Sequence, residues 1–195
     1  MIRRTFLPFL PLGAWIAVFG SAALGASTPG FDDHPGQLHR VWLVAAGGWA
    51  PWRWHDGWWA GYPEFQFYPP GFAYAGAALS RLSLGALDVD AAYLALVWLA
   101  WAAPGVTAYL LLARVLGSGA AALPGAFVAL TMSGGIASGV EGGVHIGMVA
   151  ARLGWAMLPL LLAIGVDARA RGWLRTAALA SPLVAAIALT HPAHV

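Results

Sequence analysis

The sequence predicts an all-α fold: a polytopic helical transmembrane bundle with an extracytoplasmic first loop that carries a short interfacial helix. Three observations predict it. The chain is 60% hydrophobic and only 9% charged, with a mean hydropathy of +0.71, whereas soluble domains average about 25% charged residues. Its apolar residues come in nearly uncharged runs of about 20, the length that crosses a hydrocarbon core of about 30 Å. Its polar chemistry is gathered in one insert, residues 31–71, FDDHPGQLHRVWLVAAGGWAPWRWHDGWWAGYPEFQFYPPG.

Charge and cysteine content narrow the function classes. The formal charge of +2 comes from ten Arg and no Lys against eight acids, and the arginines lie near segment ends. That pattern sets membrane topology and does not make a nucleic-acid-binding patch, so no nucleic-acid partner is expected. The absence of Cys excludes disulfides, thiolate catalysis and Cys-based zinc or iron–sulfur sites.

The first span is expected over residues 6–26, after Arg3 and Arg4 and within the uncharged stretch from Thr5 to Phe31. A cleaved signal peptide, or a twin-arginine signal on Arg3-Arg4-Thr5-Phe6-Leu7, is the rival reading. Further spans downstream favour an uncleaved signal-anchor. Positive charge before the span places the N-terminus in the cytoplasm, the protein in the inner (plasma) membrane, and residues 27–71 outside.

Within that loop, Asp33 or His34 is placed to cap a helix with Pro35 at its first position, where the missing N–H costs nothing. Leu38, Val41, Trp42, Ala45 and Trp49 recur at helical spacing, as in an amphipathic helix lying in the membrane interface. Gly47-Gly48 and Pro51 end it, and Gly57, Gly61, Pro63, Pro69 and Pro70 keep the remainder in turns.

Residues 72–195 should add further spans to a single membrane domain. Residues 91–113, 147–166 and 176–191 qualify on length. Residues 67–87, which carry Arg81, and 120–137, broken by Pro124 and Gly134-Gly135, are weaker. Parity decides between them. The Arg169, Arg171 and Arg175 loop should be cytoplasmic, and it falls outside if both weak segments cross. One of the two must therefore fail to span; failure of the Arg81 segment also makes Arg114 cytoplasmic. Under either repair Glu141 and His145 emerge on the external face. The apolar run continues to the last residues, which predicts the N-terminal part of a longer module.

Several side chains in this frame can carry chemistry. Asp32 and Asp33 sit just past the first span beside a helix N-terminus that favours the carboxylate form. A carboxylate held there can act as a general base or help hold a divalent metal such as Mg or Mn; as a plain cap and solvated acid it does neither. His39, Arg40 and Arg53 suit a phosphate or diphosphate, Arg by its bidentate fork, and equally suit anionic lipid headgroups. His34, His39 and His55 match no standard zinc spacing. The loop tryptophans Trp42, Trp49, Trp52, Trp54, Trp58 and Trp59 fit both the interface belt and stacking on sugar or polyprenyl groups. Glu64 and Tyr68 lie in the turn returning the chain to the membrane, Glu64 as its one inward-capable acid. Glu141 and His145 would share a helix face at i, i+4, and an ionisable pair at a span boundary is a functional candidate.

In order, FDDHPGQLHRVW after the first span, GGWAPWRW, and GWWAGYPEFQFYPPGFAY resemble bacterial GT-C-type membrane glycosyltransferases. The resemblance is closer to the membrane family labelled 6-pyruvoyl-tetrahydropterin-synthase-related. It covers residues 6–74 well and the later spans loosely. It implies inverting transfer of a sugar from a polyprenyl-phosphate carrier to an envelope glycan or lipid acceptor on the external face. Under it Asp33, with Asp32 as second choice, is the base or metal-holding acid; His39 and Arg40 contact the carrier phosphate. Glu141 and His145 stand for the later external acidic site. The pterin-synthase label belongs to a soluble three-His zinc fold that this chain does not reproduce. The rivals from other classes are a transporter-like protein and a non-catalytic envelope-assembly or glycan-binding protein.

Overall fold

Apolar runs with no unpaired backbone groups to spare become helices in a membrane, and the computed structural model follows this rule. It describes residues 3–57, 60–134 and 139–192; Trp58, Trp59, Gly135 and His194 lie outside the described residues. The helices are α1 (Arg3–Leu24), α2 (His34–Gly47), α3 (Glu64–Phe67), α4 (Gly71–Leu82), α5 (Val89–Leu116), α6 (Gly119–Thr131), α7 (Val149–Val166), α8 (Ala168–Arg171) and α9 (Trp173–Thr190). A π-helical turn, Glu141–His145, lies between α6 and α7.

Among the described residues four helices are long and apolar enough to cross a membrane: α1, α5, α7 and α9. The two weak segments both shrink. The Arg81 segment is the 12-residue α4, and the Pro124 segment is the 13-residue α6. At 1.5 Å per residue they reach about 18 and 20 Å, short of a core of about 30 Å. They differ in direction of travel. Gly20 of α1 packs against Trp98 and Trp101 of α5, and Phe9 meets Tyr109 with ring centroids 5.3 Å apart, so α1 and α5 are antiparallel. Gly119 at the start of α6 approaches Pro8 and Tyr109. After α7, Asp167 pairs with Arg114 of α5 and, at 2.8 Å, with Arg171. The start of α1, the end of α5, the start of α6 and the Arg169–Arg175 turn thus share one end of the bundle.

The other end gathers α2, α4, the π-helical turn and the end of α9. Gly71 lies against the Leu189 carbonyl, and the backbone N–H of Asp33 donates to Ile146 O at 3.0 Å. It is α6 that returns the chain to this end, while α4 begins and stays there. At 28 residues α5 is about 42 Å long, and its first turns, with Tyr93 and Leu96, support α2 and α4.

Small residues share the interior with a few large rings such as Tyr93, Trp101 and Tyr109, and many large aliphatic side chains face outward. Ala92, Ala100, Ala122, Ala126, Ala150 and Ala156 are buried, whereas Leu7, Leu10, Val18, Leu99, Leu162, Leu174 and Leu179 are exposed. Small residues let membrane helices approach closely, and large apolar ones face lipid at no hydration cost. The distribution is consistent with a bilayer environment.

The buried face of α2 departs from its sequence pattern. Burial falls on His34, Gln37, Val41 and Val44, while Trp42 and Trp49 are exposed. The reason is Gly76 of α4, where a Cβ would come within 2.8 Å of Val41 Cγ1. The missing side chain draws Val41 inward and turns Trp42 out. Two arginines then close the C-terminal carbonyls of α2: Arg81 Nη2 donates to Ala45 O at 2.8 Å, and Arg53 Nη1 donates to Gly47 O. Cationic donors at a helix C-terminus meet both its unpaired carbonyls and its dipole.

One glycine fixes the join between α2 and the π-helical turn. Gly147 has φ +92°, and a Cβ there would lie 2.7 Å from the backbone N of His34. Gly147→Ala combines a strained left-handed backbone with a clash against main chain, which cannot yield as a side-chain tip does. The expected loss is at least about 1–3 kcal/mol, read as a fall in the unfolding midpoint of the purified protein.

Candidate functional site

The polar loop folds into two adjacent groups at the end of the bundle opposite the start of α1, one at each half of α2. At its N-terminus, Asp32 takes φ +49°, a left-handed turn that Asp tolerates better than most non-glycine residues. Asp33 occupies the N-cap position but makes no side-chain cap bond. The expected cap is therefore not formed. Both carboxylates are exposed and have no hydrogen-bond or ion-pair partner among the described residues.

His34 is the anchor under them. It is fully buried, with Nδ1 2.7 Å from Tyr93 Oη and Nε2 2.7 Å from Val144 O. A carbonyl can only accept, so Nε2 carries the proton and donates to Val144 O, leaving Nδ1 to accept from the Tyr93 hydroxyl. Burial holds its pKa below the usual value; the Val144 and His145 backbone groups and the two aspartates oppose that shift. His34 thus belongs to the structural frame. Its carbonyl partner is in the turn that holds Glu141 and His145, whose Oε1 and Nδ1 are 3.2 Å apart and exposed. Phe31 packs on the His145 ring at 5.2 Å between centroids. The aspartates and the Glu141–His145 pair, over 100 positions apart in sequence, therefore border one surface.

Along α2 the second group forms around Arg40. Its Nε donates to Glu64 Oε1 at 2.6 Å, its guanidinium carbon lies 3.7 Å from the Tyr68 ring centroid, and Gln37 Nε2 donates to Tyr68 Oη at 2.8 Å. Tyr62 Oη donates to Glu64 Oε2. Glu64 is buried and both its oxygens are occupied, so it orients Arg40 and Tyr62 and has little capacity left for a substrate. Besides Glu64, the Arg40 guanidinium also interacts with the Tyr62 hydroxyl. Burial, reinforced by the Glu64 hydrogen bond, raises the Tyr62 pKa above the usual range and keeps it a donor.

His39 and His55 meet with Nε2 atoms 3.3 Å apart, and His39 stacks on Trp42. Burial, His55 and Arg40 lower the His39 pKa, partly offset by Glu64. His55 is carried there by a short antiparallel bridge to Tyr62. Beside it is a cavity of about 290 Å³, bordered by Trp42, Arg53, Trp54, His55, Asp56 and Glu64. The Arg53 guanidinium is engaged at the end of α2 and does not join Arg40. With a rise of 1.5 Å per residue, Asp33 and Arg40 are separated by about 10 Å along the helix.

A second acidic pair, outside the sequence-predicted set, lies at this same end: Asp88 and Asp90 have Asp-x-Asp spacing. Asp88 Oδ1 accepts from Ala91 N at 2.8 Å and caps α5. Its spacing was visible in the sequence, and so was its position before an apolar run, which marks a cap.

For a magnesium or manganese ion, the fit is poor. No group of three or more His, Asp or Glu side chains that could hold a metal converges among the described residues. An apolar furrow of about 820 Å³ opens next to the Arg81 helix, between Tyr74, Val106, Met157, Leu160 and Leu189. No protein-family model, no curated protein and no solved structure matches this chain; the finding that stands is a helical bundle with helices long and apolar enough to cross a membrane.

Proposed function

We propose that the chain is a GT-C-like glycosyltransferase, or a part of one, that moves a sugar from a polyprenyl-phosphate carrier to an acceptor hydroxyl at the external face of the inner membrane. The observation that carries the reading is the pair of exposed carboxylates at Asp32 and Asp33, without partners among the described residues, beside the Glu141–His145 pair and about two turns of α2 away from Arg40. Orientation is part of the proposal: the bundle end with the N-terminus, Arg169, Arg171 and Arg175 is cytoplasmic by the positive-inside rule.

In this scheme the Asp33 carboxylate takes the proton of the acceptor hydroxyl as its oxygen attacks the anomeric carbon, inverting it. The bond from that carbon to the carrier phosphate breaks, and the phosphate leaves with the electron pair. The Arg40 guanidinium, with His39 beside it, stabilises the charge gained by the phosphate. The furrow next to Tyr74 offers the carrier's hydrocarbon tail an apolar path out of this end. No step passes through a metal.

Asp33→Asn, isosteric and neutral, should lower the rate of sugar transfer by about 10²–10⁴ while leaving the protein folded, because the side chain makes no contact in the frame. Transfer from a radiolabelled lipid-linked sugar to membrane acceptors measures it; an unchanged rate removes the base. If glycan binding is found and survives loss of all the loop acids, a non-catalytic glycan-binding protein is the better reading.

A further inference from the structure

At the end of the bundle opposite the polar loop, a charge imbalance and an apolar groove meet at one residue. Six of the ten arginines, Arg3, Arg4, Arg114, Arg169, Arg171 and Arg175, lie on the elements of this end, against one of the eight acids, Asp167. That acid is already shared. Its Oδ2 accepts from Nη2 of Arg114 and, at 2.8 Å, from Nη2 of Arg171. One carboxylate between two guanidiniums leaves the group a net charge of +1, and Arg171 Nη1 is buried with no hydrogen-bond partner.

Arg114 also borders a groove of about 620 Å³ between three helices, walled by Leu110 of α5, Leu160 and Ile164 of α7, and Leu179 and Leu183 of α9. It is the one charged residue among those described along the groove, and its side chain is 47% exposed, so a ligand can reach it. From Leu179 to Ala186 the groove follows α9 for about 10 Å.

Two explanations of these arginines compete. As topology signals they meet the bulk headgroups of the nearest leaflet, which requires no cavity. As part of a seat for one lipid, they require an apolar channel that begins at a cation. The groove supplies that channel.

The same juxtaposition selects the occupant. A membrane helix in the groove would cover the guanidinium of Arg114 and would need an acid of its own at that depth, since Asp167 is committed. A free phosphate would leave the apolar walls uncovered. A phospholipid brings both parts joined, an anion directly at the head of a hydrocarbon chain, and the arginine fork suits its phosphate. Basic pockets between membrane helices hold headgroups in this way. The net positive charge favours a headgroup without a cation of its own.

We propose that the groove between α5, α7 and α9 seats one anionic phospholipid, its phosphate on Arg114 and one acyl chain along Leu110, Leu160 and Leu183. The site lies at the opposite end of the bundle from Asp33 and Arg40. It is independent of the sugar-transfer reading, because its test uses no sugar donor or acceptor.

The test titrates the full chain in detergent micelles with lipids and counts bound molecules by native mass spectrometry. Wild type should bind one phosphatidylglycerol saturably and prefer it over phosphatidylcholine of the same chains by about fivefold or more, the effect of one arginine at a lipid surface. Arg114→Gln should remove that preference and Arg114→Lys should keep most of it. Ala163→Phe, which fills the groove and leaves every arginine in place, should weaken both lipids. Arg175→Gln, at the same end but outside the groove, should bind like wild type. Dihexanoyl phosphatidylglycerol, with the same headgroup and short tails, should bind at least about tenfold more weakly, and inorganic phosphate should not displace the long-chain lipid.

Size-exclusion profile and thermal midpoint check each variant; Ala163→Phe decides the question if Arg114→Gln does not fold. Equal affinity for the two headgroups in wild type, equal loss in the Arg114→Gln and Arg175→Gln variants, or unchanged binding by the Ala163→Phe variant would each overturn the site. So would displacement by phosphate, which would leave a free-anion site, or a wild-type dimer that excludes lipid and dissociates in the Ala163→Phe variant, which would give the groove to a second copy of the chain.

Discussion

Arg152→Ala is expected to be among the most damaging single substitutions in this protein, lowering stability by about 3 kcal/mol, since each buried polar group left unpaired costs about 1–3 kcal/mol. Arg152 is buried in α7, where its Nε donates to Ala100 O and its Nη2 to Leu130 O, both at 3.0 Å. These two carbonyls need a donor for separate reasons. Pro104 has no N–H to return to Ala100 O four residues earlier in α5, and Leu130 lies in the last turn of α6, where carbonyls have run out of helix. One guanidinium fork serves both, and Gly143 leaves room for its stem, since a Cβ there would meet Arg152 Cβ at 2.7 Å.

The cause is separable from simple loss of bulk. Arg152→Met keeps volume but donates nothing, so it should lose most of the same stability. Pro104→Ala restores the N–H that Ala100 O lacks, and in that background Arg152→Ala should cost about 1 kcal/mol less. The four proteins of the double-mutant cycle, unfolded by SDS titration in mixed micelles, give the coupling directly. Additive losses would show that Arg152 does not serve the carbonyl freed by the proline.

His34→Ala is the second large effect, an expected loss of about 2–4 kcal/mol from two unmade hydrogen bonds and a small cavity. Tyr93 Oη and Val144 O lose their shared partner, and the turn holding Glu141 and His145 keeps only the backbone bond from Asp33 N–H to Ile146 O as its hydrogen-bonded tie to the start of α2. The readout is a lowered thermal midpoint together with new proteolytic cleavage between α6 and α7. Acid should act on the same contact. Because burial holds the folded pKa of His34 below its unfolded value of about 6.5, the unfolded chain takes up the proton first. The contribution of His34 is fully present above about pH 6.5 and declines as pH falls below it, the sign required when the unfolded state binds more protons. A pH series of thermal midpoints should show a wild-type decline below about pH 6.5 that is shallower in His34→Gln.

The sequence by itself determined that this is a helical membrane protein and where its long helices run. Hydrophobic length is a local property, and a backbone in lipid has no acceptable alternative to internal hydrogen bonding. It also marked the polar loop, the helix after Pro35 and the aspartates ahead of it, because composition and turn residues act over a few positions. Only the tertiary structure decided which loop residues meet. Arg40 met Glu64 across 24 residues, His39 met His55 across 16, and His34 met Val144 across 110. Such distant pairs depend on how closely helices approach, which is set by where side chains are missing: Gly76 turned α2 by drawing Val41 inward, and Gly147 admitted the backbone of His34. A glycine in a sequence does not say what will occupy the space it leaves. For the same reason the sequence does not show that Arg152 is the shared donor of two helices, a role it takes only because Pro104 and the end of α6 are brought to it.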